Sequence, residues 1–168
     1  MKNKHLRNTV LAAMFAALTT ALTMFPRIPI PGAAGGYVHL GDAMIYLAAS
    51  FLPLPFACAA GGIGGMLADI ISGGAAWAPW TLVIKALIAL PFTRKQDKLL
   101  CRRNFIAPAA ALVITVAGYF AAEAIMYSPA AAVLSLVWNA AQGAASAVVY
   151  YVIAAAIDKR HIIPFFRR

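Results

Sequence analysis

Seven polar side chains stand where the surrounding sequence is apolar. Asp42, Asp69, Lys85 and Glu123 are ionisable, and His39, Asn139 and Gln142 are neutral hydrogen-bonding groups. A charged group inside a membrane span costs at least ~2.5–3.5 kcal/mol on insertion scales, so each needs a partner or a task. A cation, carboxylates and amides together suit the capture of a small polar molecule through charge-assisted hydrogen bonds. They do not suit covalent or metal chemistry. His5, His39 and His161 are scattered, and Cys58 and Cys101 are isolated, without a CxxC or Cys/His cluster. The expectation is a binding site with no catalytic residue, metal or cofactor, and two inert cysteines.

The rest of the chain explains why those groups are conspicuous. Of 168 residues, 63% are hydrophobic and 11% charged, with mean hydropathy +0.81, whereas soluble domains run near 45–50% apolar and about 25% charged. With roughly 20 residues per spanning helix, the length holds six or seven spans at most. That leaves no room for a soluble catalytic, nucleotide-binding or DNA-binding domain. The reading is an all-α, multi-pass plasma-membrane protein forming a single integral membrane domain over 1–168, with the lipid bilayer as partner and no nucleic acid. The first apolar segment lacks an A-x-A cleavage site before a soluble mature part, so it reads as a retained span.

Six apolar segments can be drawn: about 8–25, 39–52, 56–71, 80–92, 105–127 and from Ser128–Pro129 to about 157. A Pro/Gly-rich connection (26–36, PRIPIPGAAGG) favours stiff, extended backbone. With the N-terminus cytoplasmic, the inner ends and loops hold Lys2, Lys4, Arg7, Arg94, Lys95, Lys98, Arg102, Arg103, Lys159, Arg160, Arg167 and Arg168, twelve of the fourteen cations. By the positive-inside rule both termini are cytoplasmic.

In that arrangement the polar side chains share one depth. His39 and Asp42 open the second segment, Asp69 closes the third, and Glu123 lies one turn before Tyr127. Lys85 is five residues below Trp80, ~8 Å deep at 1.5 Å per residue. Asn139 and Gln142 share a face of the sixth segment. The inner halves read as almost purely apolar, which argues against a proton relay and leaves no visible path for a stand-alone facilitator or channel. One outward-facing polar pocket accounts for the pattern. The structural alternative pairs Lys85 with Asp69 or Glu123 and uses Asp42 as a helix cap. Tyr37, Trp77, Trp80, Tyr119, Tyr127 and Trp138 lie at the same level, as interface anchors or as ring-stacking walls. Gly61 and Gly65 have the small-xxx-small spacing of close helix packing; without a preceding strand or a GK[ST], a phosphate loop is excluded. Ala12, Ala13, Ala16 and Ala17 form a small-residue stripe suited to helix packing or to docking another membrane subunit.

Residues 35–89 (GGYVHLGDAMIYLAASFLPLPFACAAGGIGGMLADIISGGAAWAPWTLVIKALIA) resemble the substrate-binding S components of energy-coupling factor (ECF) vitamin transporters of the riboflavin and hydroxymethylpyrimidine group. YVHLGD (Tyr37–Asp42), the Gly-rich segment ending in Ala68–Asp69, and the Trp–Thr-x-x-x-Lys stretch ending at Lys85 carry the likeness. It implies six helices that capture a vitamin or precursor outside the cell and topple to release it inside. It also implies partners: a transmembrane coupling subunit carrying two cytoplasmic ATPases, docked through the Ala12/Ala16 stripe, with 26–36 as a lid. The candidate ligand residues are His39, Asp42, Asp69, Trp77, Trp80, Lys85, Glu123, Tyr127, Trp138, Asn139 and Gln142. Opposite charges with flat faces favour an aminopyrimidine or pyridoxine-like ring, whereas riboflavin asks for a roomier, more apolar cavity.

Overall fold

The computed structural model describes residues 2–26, 28–29 and 37–160. They form six helices: α1 (Lys2–Met24), α2 (Gly41–Phe51), α3 (Leu54–Ile71), α4 (Ala78–Leu87), α5 (Arg102–Met126) and α6 (Pro129–Lys159). Two short strands, β1 (Ile28–Pro29) and β2 (Tyr37–Val38), pair antiparallel at the base of the Pro/Gly-rich connection. Most of the expected lid, 30–36, lies outside the described residues, as does His161.

Helix lengths differ more than the apolar segments suggest. At 1.5 Å per residue α6 is ~46 Å long and α5 ~38 Å, against a hydrocarbon core of about 30 Å. By length and composition α1, α3, α5 and α6 can each cross a membrane. α2, with 11 residues, and α4, with 10, are too short to do so alone. Proline sets some of these limits: Pro53 precedes α3, while Pro79 and Pro129 occupy first turns, where the missing N–H costs nothing. α1 begins well before the expected start and carries Lys4 and Arg7 within the helix. α6 reaches past Asp158.

α2 is the centre of the bundle. Every residue from Gly41 to Ser50 is buried, and α2 packs against α1, α3 and α6. α3 lies between α1 and α4, and α5 between α4 and α6. Missing side chains on α3 make this possible. A Cβ at Gly61 would lie 2.7 Å from the Lys85 carbonyl and 2.8 Å from Ile45, and one at Gly65 would lie 2.8 Å from Thr81. One at Gly64 would meet the Ala16 carbonyl at 2.7 Å. The close-packing reading of Gly61 and Gly65 therefore describes the α3–α4 contact. Both backbone and side-chain atoms approach where a methyl group would stand.

One end of the bundle is strongly basic. His5 on α1 meets Phe56 on α3 edge-on at 5.2 Å, and the α4–α5 connection is bonded to the last turn of α6. There Asp158 accepts hydrogen bonds from the Leu99 and Leu100 amides at 2.7 and 2.9 Å. Lys4, Arg94, Lys95, Lys98, Arg102, Arg103, Lys159 and Arg160 are exposed at this end.

Gly61→Ala should lower stability by about 1–3 kcal/mol, the usual cost of overpacking, because a backbone carbonyl must move. Gly74→Ala, whose Cβ would meet only ordinary contacts, should be nearly neutral. Thermal unfolding of both variants in the same detergent checks the contrast; equal melting temperatures would contradict the close approach.

Candidate functional site

The centre of the polar cluster is an ion pair. Lys85 Nζ, from α4, lies 2.5 Å from Asp42 Oδ1 on α2, with the two side chains 1% and 0% exposed. Gln142 Nε2 donates to the other Asp42 oxygen at 3.3 Å. The Lys85 ammonium also sits 5.2 Å from the centre of the Tyr119 ring, within cation–π range. The Tyr119 and Thr81 hydroxyls share a hydrogen bond of 3.2 Å. Four helices thus supply one charge-paired group, and Asp69, at the end of α3, is buried within electrostatic reach of Lys85.

The partner of Lys85 is therefore Asp42, not Asp69 or Glu123 as the structural alternative had it. Asp42 does not cap α2 either. The Gly41 amide donates to His39 Nδ1 at 3.1 Å, so His39 serves the helix start and leaves Asp42 for Lys85.

A second group lies between α5 and α6. Ser135 donates a short hydrogen bond to Glu123, and Asn139 Nδ2 donates to Ser135 Oγ at 3.3 Å. An aromatic trio adjoins both groups through Tyr119: Trp77 lies 6.2 Å from Tyr119 and 5.9 Å from Tyr127, centre to centre. Tyr127, one turn past Glu123, is 49% exposed and marks the outer edge of the cluster. Trp80 and Trp138 are half-buried and stand outside the bonded cluster.

Thr81, Tyr119 and Ser135 are site members that the sequence reading did not place among ligand contacts. Helical spacing could have found all three, since Thr81 is four residues before Lys85, Tyr119 four before Glu123 and Ser135 four before Asn139. Each therefore shares a face with a residue already singled out.

An apolar groove of about 730 Å³ also opens between α5 and α6, walled by residues such as Leu112, Val116, Phe120 and Val137. It offers no charged or hydrogen-bonding side chain. The buried charged and hydrogen-bonding side chains lie instead in the cluster around Asp42 and Lys85.

On α1 the small residues divide by face. Ala12 is buried and Ala16 half-buried toward α3, whereas Ala13 and Ala17 are exposed. Ala12 and Ala16 pack within the bundle in this structure, and Ala13 and Ala17 face outward from it.

A six-helix membrane bundle with a buried, multi-helix polar cluster is the architecture of a membrane-embedded solute-binding protein. Residues 3–159 match the family of the ECF-type riboflavin transporter, S component, and the chain belongs to that family. It is a multi-pass plasma-membrane transport protein. Over 168 residues it is 29% identical to the thiamine precursor transporter HmpT of Lactococcus lactis subsp. cremoris, covering 100% of this chain and 98% of that one. It is also 37% identical over 117 residues to an uncharacterized protein of Pyrococcus woesei, covering 68% and 76% of the two chains.

Lys85→Met should destabilise the unliganded protein by about 3–5 kcal/mol, because it strands a buried carboxylate. Adding Asp42→Asn should recover most of that loss. Thermal unfolding of the single and double variants reads the effect. A double variant no more stable than Lys85→Met would mean that the pair is not the dominant buried electrostatic contact.

Proposed function

We propose that this chain is the capture subunit for a thiamine-precursor pyrimidine, held where Asp42, Lys85, Gln142 and Glu123 meet the Trp77–Tyr119–Tyr127 trio. The observation that carries the reading is the side-by-side placement of a carboxylate–ammonium pair, an amide and aromatic faces. An aminopyrimidine presents ring nitrogens that accept and an amino group that donates, and its flat ring can stack. Full-length similarity to a thiamine precursor transporter supports the same class. A B6-like ring uses similar groups. Riboflavin is the second reading, favoured by the family's description, and would place its larger ring system along the aromatic trio.

The basic end is cytoplasmic in this proposal, by the positive-inside rule, and the polar cluster faces the outside. The chain acts as a single unit that binds without chemical conversion of the ligand. Uptake is driven by a transmembrane coupling subunit and its two cytoplasmic ATPases. The exposed stripe of Leu6, Val10, Ala13 and Ala17 on α1 is the proposed docking face. Ala12 and Ala16 support it from behind.

Titration with hydroxymethylpyrimidine, pyridoxine and riboflavin, followed by tryptophan fluorescence, tests the ligand class. The pyrimidine should bind at least 10-fold tighter than riboflavin, a difference of ~1.4 kcal/mol, and Glu123→Gln should weaken it by a similar factor. Riboflavin binding tighter than the pyrimidine would overturn the assignment. Ala17→Trp should leave that binding unchanged and stop uptake in cells that express the coupling module. Undiminished uptake would remove α1 as the docking face.

A further inference from the structure

A polar seam continues from the ion pair toward the basic end, in a region where the sequence reads as nearly apolar. α2 and α6 run in the same direction and are in matched register. Gln142 bonds Asp42 at one level, and the Ser50 and Tyr150 hydroxyls share a 3.0 Å hydrogen bond two turns further on. Asn104 then donates to Ser50 Oγ at 3.3 Å and to the Thr93 and Leu99 carbonyls at 2.7 and 2.9 Å.

The offset between partners is the same at both levels, so Tyr46 and Ser146 fall opposite each other midway. Both are 0% exposed, and neither hydroxyl has a hydrogen-bond partner among the described residues. Two orphaned hydroxyls on facing elements are uncommon, because a buried polar group left unpaired costs about 1–3 kcal/mol. α5 carries a further backbone acceptor. Pro108 lies inside that helix and has no N–H, so the Asn104 carbonyl loses the bond that residue 108 would normally donate.

We propose that Tyr46 and Ser146 hold a buried water, which sits between the Asp42–Gln142 bond and the Ser50–Tyr150–Asn104 group. Water is the ligand that fits. It donates and accepts at once, and buried waters typically make about three hydrogen bonds to otherwise unsatisfied groups. A freed backbone carbonyl inside a spanning helix is one of the groups such waters serve. That water, with the bonds on either side of it, fixes the register of α2 against α6. It does not depend on which vitamin is bound.

A density map of the full chain at a resolution that shows ordered solvent tests this. Density should appear within ~3 Å of both the Tyr46 and Ser146 hydroxyl oxygens. A direct bond between the two hydroxyls, or a dry contact, would overturn the proposal. Tyr46→Phe and Ser146→Ala each remove one oxygen and keep the side-chain shape, so both variants should fold. If both anchor one water, each should lower the melting temperature and the double variant should fall no further than the worse single. Fully additive losses would mean two independent groups and would sink the shared site.

Discussion

The Lys85–Asp42 ion pair is the contact that the rest of the bundle must accommodate. Neither side chain reaches water, so each would be expensive alone, and their attraction offsets the desolvation only with close geometry and further hydrogen bonds. Gln142 supplies a hydrogen bond and the Tyr119 ring a cation–π contact. The geometry requires α4 to approach α2 although α3 packs against both. The glycines at 61, 62 and 65 let it do so: the Lys85 and Leu82 carbonyls and the Lys85 stem come to 2.7–2.9 Å from where Cβ atoms would stand. Small residues and a buried charge pair are thus one design problem. The first permits the approach that the second demands.

The same constraint explains the two short helices. α2 is enclosed on all sides, so its eleven residues need not match the bilayer; its ends are satisfied within the protein. His39 takes the Gly41 amide, and Ser50 joins Tyr150 and Asn104. α4 ends where the polypeptide turns to deliver Thr93 and Leu99 to Asn104. Backbone groups of that connection find side-chain partners in Asn104 and in Asp158 on α6. The long helices α1, α5 and α6 carry much of the lipid contact, with Val10, Val113, Val137 and Val152 more than half exposed.

Much of this was legible in the residues, and the limits have physical causes. Apolar runs located six helices, and cation placement located the basic end, because both are one-dimensional signals. The common depth of Asp42, Asp69, Lys85, Glu123, Asn139 and Gln142 could be counted along each segment. The identity of Lys85's partner could not, since it depends on how far each helix is rotated about its axis, and depth says nothing about rotation. Rotation also separates Ala12 and Ala16 from Ala13 and Ala17: an i, i+4 pair defines a face without saying what the face meets. The inner polar group was missed for another reason. Ser50, Ser146, Tyr46 and Tyr150 are mild in hydropathy and ordinary in helices, so only their alignment across α2 and α6 makes them a feature.

That alignment bears on how a captured ligand leaves. The basic end is closed by directional bonds: Asn104 to Thr93, Leu99 and Ser50, Tyr151 to the Phe105 carbonyl, and Asp158 to two amides. Opening a passage there would break several at once, at about 0.5–1.5 kcal/mol each and more where a buried group is left unpaired. At the opposite end the cluster is bounded by half-exposed Tyr127 and by the β1–β2 ladder, which is two residues long. A solute held beside Lys85 is therefore separated from the basic end by a bonded floor. In the proposed reading this favours entry and release through the same face. Delivery to the cytoplasm then requires the whole bundle to reorient against its partner, with α1 as the side that partner can grip.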